Sequence, residues 1–257
     1  MTPRKGADGA SGLLAQGLAL LEVPGGERTS AILAGYLAEL EKWNPRFGFV
    51  NASGTELVVK HVLDSLSAWR LVLHLVSGER PPRDSAEDAA SAFAGTVLDV
   101  GSGAGLPGIP LAAALPSLSF TLLERSAKRA AFLENCALVL GLANVRVLET
   151  DITLAGSRLP SAASTRPARF DVVTFRAVAP LDRFIKDLRA SGLDWGSIVA
   201  FKGKEAKARE EIEAMKTASA VPLTAEILDA EVPFLEEERH LVVIRAGGMQ
   251  DVRAGRT

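Results

Sequence analysis

An aspartate followed closely by four glycines is the part of this chain whose residue types and spacing speak most directly of chemistry. The stretch is Val97-Leu-Asp-Val-Gly-Ser-Gly-Ala-Gly-Leu-Pro-Gly-Ile-Pro110, an apolar run entering Gly101, Gly103, Gly105 and Gly108. Glycines at such a bend let the backbone turn sharply and approach a ligand, with helix amides aimed at it. Gly103, Gly105 and Gly108 fit the G-x-G-x-x-G spacing of a dinucleotide site. Gly101, Gly103 and Gly105 fit G-x-G-x-G instead, set directly at the strand end.

The second register is that of motif I in S-adenosylmethionine (SAM) methyltransferases, and it favours SAM over NAD. The next apolar run ends at Glu124, whose carboxylate could accept both hydroxyls of a ribose in either cofactor. A third run ends near Asp151, Ile152 and Thr153, at the place where an adenine would lie. Asp151 could read the base edge or simply cap a helix. Phe170 to Phe175 leads to Arg176, at the strand edge where open α/β sheets bind ligands. Arg176 could serve function there or sit in a structural salt bridge.

Other chemistries find no support in the sequence. Cys136 stands among Ala130, Leu133, Ala137 and Leu140 at helical spacing, as a core residue would. His61, His74 and His240 have no metal-ligand spacing, and no Ser-His-Asp order or nucleophile elbow can be built. No Asn/Asp-Pro-Pro-aromatic motif follows the fourth strand. A methyl acceptor with its own free lone pair is the chemistry expected.

The elements that must carry these residues follow from periodicity. Short apolar runs at 97–100, 120–123, 145–148, 170–175 and 198–201 alternate with helical stretches, which predicts βαβ units and a mostly parallel sheet. Leu241 to Ile244 follows another strand too closely for a crossover helix, so an antiparallel edge strand is expected. Upstream, Leu13 to Val23 reads as an amphipathic helix. Leu33, Leu37 and Leu40 give a second, which Asn44-Pro45 should stop. Leu57 to Trp69 gives a third. The expected organisation is an unstructured 1–12, a helical subdomain at 13–76, a linker or insertion at 77–95, the sheet domain at 96–246, and a loose tail at 247–257.

Composition bounds the rest. The 257 residues are 47% apolar and 23% charged, with a net charge of −2. That balance argues against coating nucleic acid by bulk charge and leaves room for local basic patches. Lys128 and Arg129, beside Arg125, form one such patch at a strand end; Lys202, with Lys204, Lys207 and Arg209, begins another. Either patch could track RNA phosphates or be a solvated helix face. One cysteine excludes an internal disulfide, and no apolar run is long enough to span a membrane. A cytoplasmic monomer is expected, with no metal.

Lys42-Trp-Asn44, His61-x-x-Asp64-Ser65, the glycine loop continuing as Leu-Pro-Gly-Ile-Pro-Leu111, Lys128-Arg129 with Phe132-Leu133, Arg176-Ala177, Lys202-Gly203 and Glu238-Arg-His-Leu-Val-Val-Ile244 occur in this order. In these motifs the chain resembles the ribosomal RNA small subunit methyltransferase G family, also called glucose-inhibited division protein B, over about residues 35 to 245. The resemblance implies a Rossmann-like SAM-dependent methyltransferase fold: a seven-stranded sheet, mostly parallel with an antiparallel edge strand, behind an N-terminal helical subdomain. It implies methyl transfer from SAM to N7 of a guanosine in the decoding region of 16S rRNA, with S-adenosylhomocysteine as product. The substrate would be the rRNA or the small-subunit particle. By the same resemblance Gly101, Leu106, Ile152 and Thr153 would hold SAM, and Arg176 would work at the active edge. Three departures stand out: Gly48-Phe-Val50 replaces the family's usual Asn-Leu-Thr, Phe175 replaces its Ser before the Arg, and residues 77–94 look like an insertion before the first strand. A small-molecule SAM methyltransferase and a non-catalytic RNA-binding assembly factor are the rival readings. His61 and Asp64 could cap a helix, join the two parts of the chain or touch RNA.

Overall fold

The computed structural model describes residues 5–78, 93–159 and 168–246. The expected linker lies almost wholly outside them, as does the expected tail. Helix α1 (Lys5–Leu20) begins inside the Gly-rich start that was expected to be unstructured. Helix α2 (Gly26–Phe47) buries Leu33, Tyr36 and Leu40 on one stripe. It runs through Pro45, where the sequence predicted a stop, and carries it in its last turn. Gly48 ends it in a left-handed conformation (φ 62°), donating to the Asn44 carbonyl.

Next come α3 (Gly54–Leu57), a π-helical turn (Val58–Leu63) and α4 (Asp64–Leu66), which run on without a break. Helix α5 (Trp69–Ser77) closes the N-terminal part. The remainder alternates: β1 (Gly95–Val100), α6 (Gly108–Ala114), β2 (Leu118–Glu124), α7 (Ala127–Val139), β3 (Val145–Glu149), a 3-10 turn (Ile152–Leu154) and α8 (Ala155–Arg158). Then follow β4 (Arg169–Arg176), α9 (Leu181–Ala190), β5 (Asp194–Lys202), α10 (Glu205–Ala218), β6 (Leu223–Asp229) and β7 (His240–Ala246).

The seven strands lie in the order β3-β2-β1-β4-β5-β7-β6. From β1 the chain moves outward to β2 and β3, and from β4 outward the other way. The order therefore reverses between β1 and β4, and open α/β sheets bind ligands at such a switch point. Strands β1 to β5 are parallel. The central residues of β1, β2, β4 and β5 are buried because helices cover both faces, while β3 at the edge stays partly exposed. Strand β7 is antiparallel to both neighbours and lies one place in from the edge, which β6 forms.

Two apolar clusters fill the molecule, one on each face of the sheet. On one face Leu14, Leu33, Leu63 and Trp69 of the N-terminal helices share a cluster with Val97, Leu111, Phe120 and Phe132. On the other, Phe175, Phe184, Leu188 and Ile212 pack together. Among the described residues, no helix is long and apolar enough to cross a membrane, and no cluster of His, Cys, Asp or Glu could hold a metal ion.

Candidate active site

The glycine loop leaves β1 at the switch point. Gly101, Gly103 and Gly105 all take positive φ, at 66°, 60° and 94°, so a side chain at any of them would be strained. A Cβ on Gly103 would meet only the Gly101 carbonyl, at 3.7 Å, so the inner side of the loop is open. A Cβ on Gly101 would meet the Val178 side chain at 2.7 Å. Val178 is 41% exposed and follows Ala177, whose φ is 56°. The segment after β4 thus lays an exposed apolar side chain against the loop.

Glu124 ends β2, is 3% exposed, and tightens the loop from below. Its Oε2 accepts from the Gly103 amide and its Oε1 from the Ser126 amide, both at 2.9 Å. Each oxygen keeps a lone pair, which suits a pair of vicinal hydroxyls. Asp99 is fully buried beneath the loop and accepts from the Thr174 hydroxyl (3.1 Å) and the Gly108 amide (3.1 Å). Burial pushes its carboxyl up to about 6, although these hydrogen bonds oppose the shift. The Leu106 amide is used inside the loop, donating to the Ser102 carbonyl at 3.0 Å.

Beyond β3, Asp151 caps the 3-10 turn. Its Oδ1 accepts from the Thr153 amide (3.0 Å) and hydroxyl (2.9 Å), and these bonds lower its pKa. Its Oδ2 makes no hydrogen bond among the described residues. Ile152 is 9% exposed and packs into the second apolar cluster. Gly103, Glu124 and Asp151 thus follow consecutive strands β1, β2 and β3 along one edge of the sheet.

Arg176 is more committed than the sequence suggested. Its Nη1 donates to Asp64 Oδ2 at 2.9 Å and to the Lys60 carbonyl at 3.4 Å, and its Nη2 meets His61 Nδ1 at 3.0 Å. Asp64, 4% exposed, also pairs with Arg239 at 3.4 Å. Burial, reinforced by the Arg176 charge, lowers His61 to about 4, so its imidazole is neutral at pH 7 and can accept from the guanidinium. Burial raises the Asp64 carboxyl, with both arginines opposing it. Of the roles open to His61 and Asp64, joining the N-terminal helices to β4 is the one seen. Only Nε–H and one Nη2–H of Arg176 remain free among the described residues.

Lys202, expected to contact RNA, is engaged within the protein. Its ammonium pairs with Glu211 at 2.6 Å and lies 5.5 Å from the Phe175 ring centroid, on a side chain 13% exposed. Arg209 pairs with Glu205 on its own helix. Lys128 and Arg129 stand on the first turn of α7 with no ion-pair partner among the described residues. Phe175, the departure beside Arg176, is fully buried and stacks on Phe184 at 3.6 Å.

Tyr36 was missed. It is the chain's one tyrosine, fully buried on α2, and its hydroxyl donates to the Ala104 carbonyl of the glycine loop at 2.7 Å. Desolvation raises its pKa well above the usual value, so it stays a donor. A tyrosine on the apolar stripe of a helix was the available signal, because a buried phenol requires a partner.

The family model of rRNA small subunit methyltransferase G (GidB) matches residues 29–242. The chain belongs to that family. The ribosomal RNA small subunit methyltransferase G of Treponema pallidum (strain Nichols) is 37% identical over 243 residues, covering 90% of this chain and 92% of the relative. That of Chromobacterium violaceum is 38% identical over 230 residues, covering 89% and 94%. Among solved structures, the METTL16 MTase domain superposes with a TM-score of 0.54 at 15% identity, over 84% of this chain and 79% of that one. Human methyltransferase 10 domain containing protein gives 0.51 at 12% identity, over 84% and 96%. These distant likenesses speak for the fold. The family membership places the glycine loop in a methyltransferase.

Proposed function

We propose that the protein transfers the methyl group of SAM to N7 of a guanosine in the decoding region of 16S rRNA, acting as a cytoplasmic monomer. The observation that carries the cofactor half is the open Gly103 cradle joined to the Glu124 carboxylate at the β1/β4 switch point. The cradle leaves room for a ligand backbone, and Glu124 has acceptor capacity for ribose hydroxyls. Asp151 Oδ2 is free to accept from an adenine amine, with Ile152 as apolar wall and the Thr153 amide nearby. SAM would supply an electrophilic methyl, which the in-plane N7 lone pair takes as the carbon–sulfur bond breaks and sulfur keeps the electron pair.

N7 bears no proton, so the reaction requires positioning more than proton transfer. The side chains around the site agree with that. Asp99 is sealed below the loop, and His61 has its Nδ1 turned to Arg176. Arg176 offers its remaining N–H groups to an anion, the SAM carboxylate or an RNA phosphate. The purine becomes cationic on methylation, so a guanidinium aimed at N7 would oppose the reaction. Lys128 and Arg129 are placed to meet phosphates of the bound strand.

Calorimetric titration should show binding of SAM or S-adenosylhomocysteine and none of NAD; preferential NAD binding sinks the cofactor reading. Transfer assays on 16S rRNA, intact small subunits and metabolite extracts, with mapping of N7-methylguanosine, test the acceptor. Methylation confined to the extracts would favour the small-molecule alternative. Binding of rRNA without any transfer would favour the assembly factor.

A further inference from the structure

The departure Gly48-Phe-Val50, with Arg46 and Phe47 before it, builds a surface of partly exposed rings and charge. Asn44 folds it back on the end of α2: its Nδ2 donates to the Val50 carbonyl (2.8 Å) and its Oδ1 accepts from the Val50 amide (2.9 Å). That double bond to one residue sets Phe49 against Phe47. The rings lie 5.5 Å apart and 9° from parallel. Phe49 rests in turn on the buried Phe132 of α7, at 4.9 Å. Both outer rings stay partly exposed.

The charge around the pair points one way. The Arg46 guanidinium lies 5.4 Å from the centroid of Phe47, and Arg46 is exposed with no ion-pair partner among the described residues. Lys128 and Arg129, equally unpaired, stand one helical turn before Phe132. The surface therefore combines stacked, half-open rings with free cations, the combination that holds single-stranded nucleic acid by base stacking and phosphate contact. Its distance from the site is short. Ser126, whose amide holds Glu124, starts α7, and Phe132 lies about 9 Å further along that helix.

We propose that Phe47, Phe49 and Arg46 form a stacking platform for an unpaired base of the RNA, flanking the nucleotide to be methylated. The inference rests on the RNA reading above and adds where the strand is gripped. The Arg46 guanidinium, 5.4 Å from the Phe47 centroid, leaves no room for a base between them. The base therefore stacks on Phe47 in its place, and Arg46 joins Lys128 and Arg129 in holding the phosphates.

The test measures binding of a short mixed-sequence RNA and of a 16S rRNA fragment to the full chain, in wild type, Phe47→Leu/Phe49→Leu and Arg46→Ala. Leucine keeps the apolar bulk and removes the ring faces. The double variant should lose roughly tenfold in affinity with an unchanged salt slope. Arg46→Ala should flatten that slope by about 0.7. Affinity for SAM should hold in both, which separates lost stacking from misfolding. A 2-aminopurine placed in the RNA should be quenched by wild type and less so by the double variant. Wild-type RNA affinity and quenching in the double variant would overturn the platform while leaving the function standing, and would point to a protein as occupant. Absence of RNA binding and of rRNA methylation by the wild type would overturn both.

Discussion

Arg176 and Asp99 show how single residues here are shaped by burial. Arg176 is fixed by Asp64 and His61, so Arg176→Ala both removes a cation from the site edge and strands a buried carboxylate beside Arg239. We expect the variant to lose activity and roughly 2 kcal/mol of stability. Arg176→Lys keeps the charge but cannot span Asp64 and His61 with a planar fork, so it should recover only part of the activity. Methyl-transfer assays paired with thermal unfolding would separate the two losses, and full recovery by lysine would refute the positioning role. Asp99 has a raised pKa, about 6 against 3.8, so the stability it gains from its proton is complete below about pH 4 and is lost as pH rises through 6. Keeping it ionised at neutral pH costs roughly 3 kcal/mol. Asp99→Asn removes the charge, its amide oxygen accepting from Gly108 and its NH2 donating to a Thr174 hydroxyl that turns to accept. Its stability relative to wild type should therefore climb between pH 4 and 6. A flat difference between Asp99→Asn and wild type across that range would contradict the assignment. His61, lowered to about 4, works oppositely: the unfolded chain gains a proton below about pH 6.5 that the native ring refuses, so stability drops as the solution is acidified. Arg176 was legible as the residue at the carboxyl end of β4. Its engagement with Asp64 was not, because the partner lies far away in sequence and no local spacing links them.

At the scale of elements, the glycine loop is held from two sides, by Glu124 of β2 and by Tyr36 of α2. Tyr36→Phe keeps the packed ring but leaves the buried Ala104 carbonyl without its donor, at a cost of about 1 to 2 kcal/mol. SAM affinity should fall with it, and an unchanged dissociation constant would show that α2 does not tune the loop. Gly103→Val should abolish SAM binding, since its side chain would enter the open cradle and its φ of 60° strains a branched residue. Normal affinity in a folded Gly103→Val protein would remove the loop from the cofactor site. The alternation of strands and helices was readable because buried parallel strands are short apolar runs and glycines mark their exits. The place of β7 inside the edge was not, since strand order depends on pairing across the sheet. Nor did the chain leave the helix at Asn44-Pro45, since α2 carries Pro45 in its last turn and ends only at Gly48. Nor was the partner of Lys202 legible: charge in a sequence does not reveal that Glu211 waits on the adjoining helix.

For the whole molecule, the shared apolar cluster makes the N-terminal helices and one sheet face a single packed body. Heat or denaturant should therefore unfold the chain in one transition, and a fragment starting at residue 93 should expose Val97, Leu111 and Phe120 and aggregate. Two resolved transitions by calorimetry would show instead that the helices form an independent unit. The overall charge of −2 means that RNA affinity must come from a local surface. Replacing Lys128 and Arg129 by alanine should flatten the log–log salt dependence by about 0.7 to 0.9 for each phosphate no longer neutralised. SAM affinity should stay near that of wild type, and an unaltered slope would return both residues to a solvated face.

Cys136 is fully buried in the first apolar cluster, and burial pushes its thiol up to about 12. A sulfhydryl reagent can reach it only when α7 lifts from its neighbours, so its labelling rate is a clock for opening of that core. Because it is the chain's one cysteine, a second introduced on the surface would react alone under native conditions. A single dye could then be placed on α2 or α7 without first deleting the natural thiol, and its emission would report changes around that helix as RNA arrives.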